Sequence, residues 1–156
     1  MSGRIAARLK ELGLTLPKSP IPVANYVPYV KTGNLIFVSG QIPAVPGEPP
    51  RYVGIVGTDI SAEDAKAAAR LAAINVLAVL DTALNGNLDQ VTRVVKLTGF
   101  VNAAPGFTAH PEIVNGASDL FVEVFGDDGR HARAAVGAGS LPRNVAVEID
   151  AVFEVM

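Results

Sequence analysis

The hydrophobic residues near the N-terminus recur with the spacing of a helix. Ile5, Leu9 and Leu12 fall four and then three positions apart, which places them on one helical face, and Gly13 follows where a helix can end. The next stretch is rich in proline and reads as extended chain. We therefore predict a helix over residues 4–12 and an extended lead-in as far as residue 22.

Two apolar runs then surround a turn signal. Residues 27–43 (VPYVKTGNLIFVSGQIP) place strand-forming residues on either side of Gly33 and Asn34, which are typical turn residues. This pattern predicts two strands joined by a tight turn. After a proline-rich loop, residues 52–56 predict a further short strand.

The longest apolar pattern begins after Ser61. Residues 62–84 contain no glycine or proline, and Ser61 with Asp64 three positions later is typical of a helix N-terminus. The apolar stripe of this segment is rich in alanine, and small residues let a helix lie close against a sheet. The segment is the clearest helix in the chain.

The remaining chain alternates between strand and helix patterns. Valine and threonine predict a strand over residues 92–102, and an apolar stripe predicts a helix over 111–125, although Gly116 weakens it. Two more strands, 133–138 and 145–155, close the chain. The order of elements is typical of an α+β fold with a mixed sheet and its two main helices on one face. No repeat or linker divides the 156 residues, so we expect one domain.

Composition and charge exclude several classes of protein. The net charge of −2 provides no electrostatic footprint for nucleic acid, and the absence of cysteine excludes disulfides, thiolate metal sites and a cysteine nucleophile. No segment has the pattern of a signal peptide or a membrane span, so we expect a cytoplasmic protein. Hydrophobic residues make up 49% of a small domain, which favours a homo-oligomer.

The final two strands carry the first candidate for chemistry. If they form a hairpin around GSLPRN (residues 139–144), Arg133 lies opposite Glu148 on the more polar face. The pair is then either a cross-strand ion pair or a site in which Arg133 binds a carboxylate and Glu148 holds a water or a proton. The spacing alone does not choose between them.

The two histidines complete the list of candidates. His131 precedes Arg133 by two positions and is expected on the same strand face if the strand begins there, where it is a candidate for the edge of a pocket. His110 is expected at a helix start. The two are too far apart in sequence to form a metal signature, and we predict no metal site and no cofactor.

Three segments together resemble the Rid/YjgF family of reactive-intermediate deaminases, which are also labelled endoribonuclease L-PSP. They are PYVKTGNLIFVSGQIP, the long helix after it, and HARAAVGAGSLPRNVAVEIDAVFEV. The resemblance runs from about Val23 to the end of the chain and is closest to a longer-chain branch of the family. It implies a chorismate-mutase-like fold and a homotrimer with ligand clefts between subunits.

The resemblance also implies site residues. Arg133 matches an arginine that binds the substrate carboxylate, and Glu148 matches a glutamate associated with the attacking water. The substrate-binding positions of the family match Tyr29, Ser39, Gly40, Gln41 and Asn115. An insertion before the second helix leaves Asn102 as a competitor to Asn115.

The activity implied by the resemblance is hydrolysis of 2-aminoacrylate-type enamines and imines to 2-keto acids and ammonia, with no metal or cofactor. Two alternatives stay open. One is a trimeric module that binds small carboxylates without turnover, and the less favoured one is an endoribonuclease. The sequence offers no platform of stacked aromatic residues for RNA.

Overall fold

The computed structural model describes residues 3–19 and 24–156 of the chain. The predicted lead-in to residue 22 therefore lies partly outside the described residues. The helices are α1 (Arg4–Glu11), α2 (Ala62–Ala83) and α3 (His110–Phe125), each within one residue of its predicted bounds. The strands are β1 (Tyr29–Thr32), β2 (Leu35–Gln41), β3 (Val91–Asn102), β4 (Ala132–Ala138) and β5 (Val147–Val155).

The five strands form one mixed sheet in the order β1-β2-β5-β3-β4. Only β3 and β4 are parallel neighbours, and α3 makes the crossover between them. The other neighbours are antiparallel. Because α2 and α3 cover one face of this sheet, the predicted α+β class and its arrangement are confirmed.

Two predicted strand features are wrong. β4 and β5 do not form a hairpin, because β3 lies between them and pairs with both. Residues 52–56 form no strand, and Val53 and Val56 make only isolated bridges. Gly54 and Gly57, with φ of 137° and 92°, turn the backbone away from the extended geometry that a strand requires.

Helix α2 is the centre of the core. The predicted cap forms, because the Ser61 side chain accepts a hydrogen bond of 3.1 Å from the Asp64 amide. The alanines of its inner face are fully buried and let α2 contact both the sheet and α3. No helix among the described residues is long and apolar enough to cross a membrane.

Gly116 explains how closely α3 approaches α2. A Cβ atom at this position would lie 2.1 Å from the backbone carbonyl oxygen of Lys66 on α2. The glycine weakens the helix locally, yet any side chain there would force the two helices apart. The weak point in the predicted helix is therefore a contact between helices.

We expect Gly116→Ala to lower the free energy of unfolding by about 2 kcal/mol, because overpacking against a backbone outweighs the better helix propensity of alanine. Urea unfolding followed by circular dichroism measures this change. Asp119→Ala, at an exposed position of the same helix, is the control and should alter stability by no more than about 0.5 kcal/mol. A Gly116→Ala protein as stable as wild type would contradict the close approach.

Candidate active site

Arg133 lies on β4 and points toward the helices. It pairs with Leu97 of β3, which is fully buried beneath α3, and paired residues of a sheet face the same side. The Arg133 Nη1 atom donates to Asn115 Oδ1 at 2.7 Å and to Ser118 Oγ at 3.2 Å. Among the residues that the structure describes, Arg133 forms no ion pair, because no carboxylate oxygen lies within 4.0 Å of it.

The two partners of Arg133 come from one face of α3. Asn115 and Ser118 are three positions apart, so their side chains are neighbours on the helix surface. The parallel crossover brings this face over β4. The candidate Asn115 thus lies beside Arg133.

Its competitor Asn102 has a different environment. It is 1% exposed, and its Nδ2 atom lies within 3.3 Å of the Gly54 carbonyl, 3.0 Å of Asn144 Oδ1 and 3.2 Å of the Val145 carbonyl. These bonds join the end of β3 to the neighbouring loops. Asn102 therefore has its amide engaged in holding backbone, away from Arg133.

Glu148 lies on β5 and points away from the helices. Its neighbours along the strand, Val147 and Ile149, are fully buried on the helix side, so the alternation places Glu148 on the open face. Burial raises the pKa of the Glu148 carboxyl above its ordinary value, and the carboxylate of Asp150 raises it further. A carboxyl in this state exchanges its proton nearer to neutral pH than an exposed one.

A bulge in β2 makes room for this carboxyl. The pairing of β2 with β5 shifts between Val38 and Gln41, so three residues of β2 span the distance of two on β5. A Cβ atom at Gly40 would lie 2.3 Å from Glu148 Oε1. Gly40 thus gives the Glu148 side chain a place directly over the backbone.

The predicted meeting of Arg133 and Glu148 does not occur within one chain. Arg133 faces the helices, Glu148 faces away from them, and β3 separates their strands. The prediction of a cross-strand pair is wrong because it assumed a hairpin in place of a crossover. One chain therefore presents two separate groups, Arg133 with Asn115 and Glu148 with Gly40.

Some of the other predicted residues line a cavity and some do not. Gln41 is buried, donates from Nε2 to the Ser39 carbonyl at 3.1 Å, and lines a cavity together with Gly40 and Glu148. Ser39 Oγ donates to the Val27 carbonyl at 2.7 Å, which ties the chain just before β1 to β2. Tyr29 pairs with Val38 and contacts the core. Neither Ser39 nor Tyr29 lines this cavity.

The cavity extends from Glu148 along the loop after β2 and has a volume of about 590 Å³. Several of its residues carried no signal in the sequence, namely Lys18, Tyr26, Asn75 and Arg143. Asn75 of α2 is buried and holds the loop by donating to the Ile42 and Ala44 carbonyls, both at 2.9 Å. Arg143 stands in left-handed backbone with φ of 55°. Only the fold could place these residues around one space.

One histidine contacts α3 from the loop before β4, and the other is the first residue of α3. His131 Nε2 lies 2.8 Å from Ser118 Oγ, so Ser118 contacts both His131 and Arg133. His110 is the first residue of α3, close to its predicted place, and its ring contacts Phe107. Within the ranges 3–19 and 24–156, no three His, Cys, Asp or Glu side chains gather as metal ligands would.

A family model described as YjgF/chorismate mutase-like, putative endoribonuclease, matches residues 6–154. The chain belongs to the YjgF family. The crystal structure of the protein Atu1372 from Agrobacterium tumefaciens, of unknown function, superposes with a TM-score of 0.90 at 50% identity, over 97% of this chain and 92% of that one. The resemblance seen in the sequence is therefore confirmed at the level of family and fold.

Two sequence relatives extend the comparison. Protein TCP17 of Trypanosoma cruzi is 47% identical to this YjgF-family chain over 98% of its residues and 95% of the relative. The 2-iminobutanoate/2-iminopropanoate deaminase of Escherichia coli (strain K12) is 32% identical, over 86% of this chain and 90% of the enzyme. The YjgF family thus includes proteins named as imine deaminases.

The raised pKa of Glu148 predicts a pH dependence of stability. A carboxyl whose pKa is higher in the folded than in the unfolded chain contributes stability at acid pH, and this contribution is lost as the pH rises through the folded pKa. Glu148→Gln has no such loss. We expect its free energy of unfolding to rise relative to that of wild type as the pH increases above the ordinary pKa of a glutamate, about 4.3.

Urea unfolding at a series of pH values measures this difference. Glu63→Gln, which removes the same charge at an exposed position of α2, is the control for net charge. If the difference between Glu148→Gln and wild type were constant across the range, the carboxyl would not be held in a desolvated place.

Proposed function

We propose that this protein hydrolyses 2-imino acids and their enamine tautomers, of the 2-aminoacrylate type, to 2-keto acids and ammonia. The observation that carries the proposal is the state of Arg133. It is a half-buried guanidinium with two neutral acceptors and no carboxylate partner among the described residues. The deaminase name of the Escherichia coli relative supports the same reaction.

The free side of the guanidinium suits a carboxylate. Both bonds to Asn115 and Ser118 leave from Nη1, whereas Nε and Nη2 have no hydrogen-bond partner among the described residues. Nε–H and Nη2–H are two parallel donors, the geometry that binds both oxygens of a carboxylate. The substrate carboxylate would complete the pair that the protein leaves open.

Glu148 would supply the proton transfers. Water adds to the carbon of the protonated imine and gives one proton to the Glu148 carboxylate, which leaves a neutral carbinolamine. Glu148 then returns this proton to the amine nitrogen. The C–N bond breaks as the carbonyl forms, and the hydroxyl proton passes to the departing ammonia, which leaves as ammonium. A carboxyl with a raised pKa is better suited to both steps than an exposed one, because its pKa is closer to neutral pH.

Because the two groups lie on opposite faces of one sheet, we propose that Arg133 and Asn115 of one protomer meet Glu148 and Gly40 of another in a homotrimer. The open face of the sheet supports an interface there. It exposes Val30, Phe37 and Val136 at 52%, 45% and 43%, which is costly in a monomer. The site would then consist of two halves from two copies.

The cavity beside Glu148 would hold the substrate side chain. Its volume of about 590 Å³ lies within the range of small-molecule pockets and exceeds what the methylene group of 2-aminoacrylate requires. Apolar residues of the loop after β2, such as Ile42 and Val45, form much of its wall. We therefore expect imines of larger amino acids to be accepted as well.

Arg133→Ala should lower kcat/KM for imine hydrolysis by about a hundredfold or more, because the substrate carboxylate loses its charge-assisted bonds. An amino-acid oxidase generates the imines in place, and release of the 2-keto acid is followed. Arg133→Lys keeps the charge without the fork and should recover only part of the rate. Wild-type activity in Arg133→Ala would contradict the proposal. If the wild type binds keto acids but does not hydrolyse imines, the result would favour the alternative function, a module that binds small carboxylates without turnover.

Mixing two inactive variants tests the shared site. Arg133→Ala and Glu148→Gln are each expected to be inactive as pure trimers. A mixed trimer places an intact Arg133 from one chain against an intact Glu148 from the other, so unfolding and refolding the variants together should restore part of the activity. The control is the double variant refolded with Glu148→Gln, in which no interface has both groups. Equal, negligible activity in both mixtures would show that the halves are not shared.

A further inference from the structure

We infer that His131, acting through the Ser118 hydroxyl, is a positioning residue for Arg133. The inference rests on the proposed role of Arg133 in binding a carboxylate and adds two residues to that site. Its basis is a continuous set of hydrogen bonds that runs from the Gly129 carbonyl through His131 and Ser118 to the guanidinium.

The first bond fixes the tautomer of the imidazole. His131 Nδ1 lies 2.6 Å from the Gly129 carbonyl oxygen. A carbonyl oxygen can only accept, so Nδ1 carries the hydrogen. In the neutral ring, Nε2 is then an acceptor with its lone pair in the ring plane.

The second bond fixes the Ser118 hydroxyl. Its oxygen lies 2.8 Å from His131 Nε2, and because Nε2 accepts, the hydroxyl hydrogen points at the histidine. The oxygen lone pairs are left for Arg133 Nη1 at 3.2 Å. Without His131, the same hydroxyl would be free to rotate and to direct its hydrogen elsewhere.

The surroundings favour the neutral ring. His131 stands edge to face with the buried Phe121 at 6.0 Å between centroids. Burial lowers the pKa of His131, the bond to the Gly129 carbonyl raises it, and the charge of Arg133 lowers it again. Of the nearby charged groups, Asp127 pairs with Arg130 at 3.3 Å, and Lys96 stands on the open face of the sheet.

The consequence is a guanidinium held at one end. Asn115 and Ser118 grip the two hydrogens of Nη1 from adjacent turns of α3, so the plane of the guanidinium is set and the other donors face outward. A guanidinium whose orientation is already fixed loses less conformational entropy when a carboxylate binds. His131 thus acts on ligand affinity without touching the ligand.

The test separates binding from chemistry. Ser118→Ala should raise KM for an imino acid about tenfold while kcat stays within about twofold, because a lost bond to a charged group weakens ground state and transition state alike. Ser118→Thr keeps the hydroxyl and should return KM to within about twofold of wild type. His131→Phe should raise KM in the same direction as Ser118→Ala. Asp119→Asn, on the same helix beside Ser118, is the control and should leave both constants unchanged.

A binding measurement makes the test independent of turnover. The Kd of pyruvate, titrated into each protein, should follow the same order as KM. If no variant and no wild type hydrolyses an imine while pyruvate shows this order, the positioning role stands and the deaminase proposal fails. If imines are hydrolysed and Ser118→Ala has the wild-type KM and Kd, the positioning role is overturned and the deaminase proposal stands. A wild type that neither binds pyruvate nor hydrolyses imines overturns both.

A spectroscopic readout tests the chain of bonds directly. The protein has only two histidines, so the imidazole nitrogens of His131 can be assigned by comparison with His131→Phe. We expect a neutral ring with hydrogen on Nδ1 at pH 7, and Ser118→Ala should shift the Nε2 resonance. Pyruvate should raise the His131 pKa, because a bound carboxylate offsets the Arg133 charge that lowers it. Hydrogen on Nε2 would overturn the inference.

Discussion

The parallel pairing of β3 with β4 determines most of what surrounds Arg133. Parallel neighbours cannot be joined by a tight turn, so the chain must cross the sheet, and it does so as α3. The crossover fixes α3 over β4 and brings Asn115 and Ser118 above the guanidinium. The same connection inserts β3 between β4 and β5, so the position of Glu148 relative to Arg133 follows from chain connectivity and not from any bond between them.

Two opposite charges are thereby left without an ion-pair partner among the residues that the structure describes. Arg133 is held by neutral groups, and Glu148 is half-buried beside another carboxylate, Asp150. Burial of a charge costs solvation free energy. An opposite charge offsets this cost only when it lies close by, and neither Arg133 nor Glu148 has the other within reach. The sheet separates these two groups of opposite charge, so Arg133 and Glu148 do not neutralise each other within one chain.

The sequence predicts local elements well and strand neighbours poorly. Helical spacing and the Ser61 cap place α2 within one residue of its observed end, and period-two alternation assigns the buried side of β5. Alternation does not say which strand lies beside which, so the Arg133–Glu148 pair was an error of topology. Asn115 was a candidate only through the family resemblance. Lys18 and Arg143 of the cavity come from segments with no periodic pattern, and Asn75 lies in a helix whose apolar pattern does not mark it for a cavity. Ser118 could be found only once α3 was known to cover β4.

The buried amide of Asn102 gives the cavity wall a dynamic property. It joins the Gly54 and Val145 backbones and the Asn144 side chain, and the Gly54 amide bonds back to the Asn144 carbonyl at 2.7 Å. The turn that carries Arg143 and the segment around Gly54 are therefore closed by the same few bonds. Segments that are closed by shared bonds tend to open cooperatively, so we expect their amide hydrogens to exchange with solvent at a similar rate. The side of the cavity that carries Arg143 can then open as one unit, while Glu148, in the central strand β5, keeps its position.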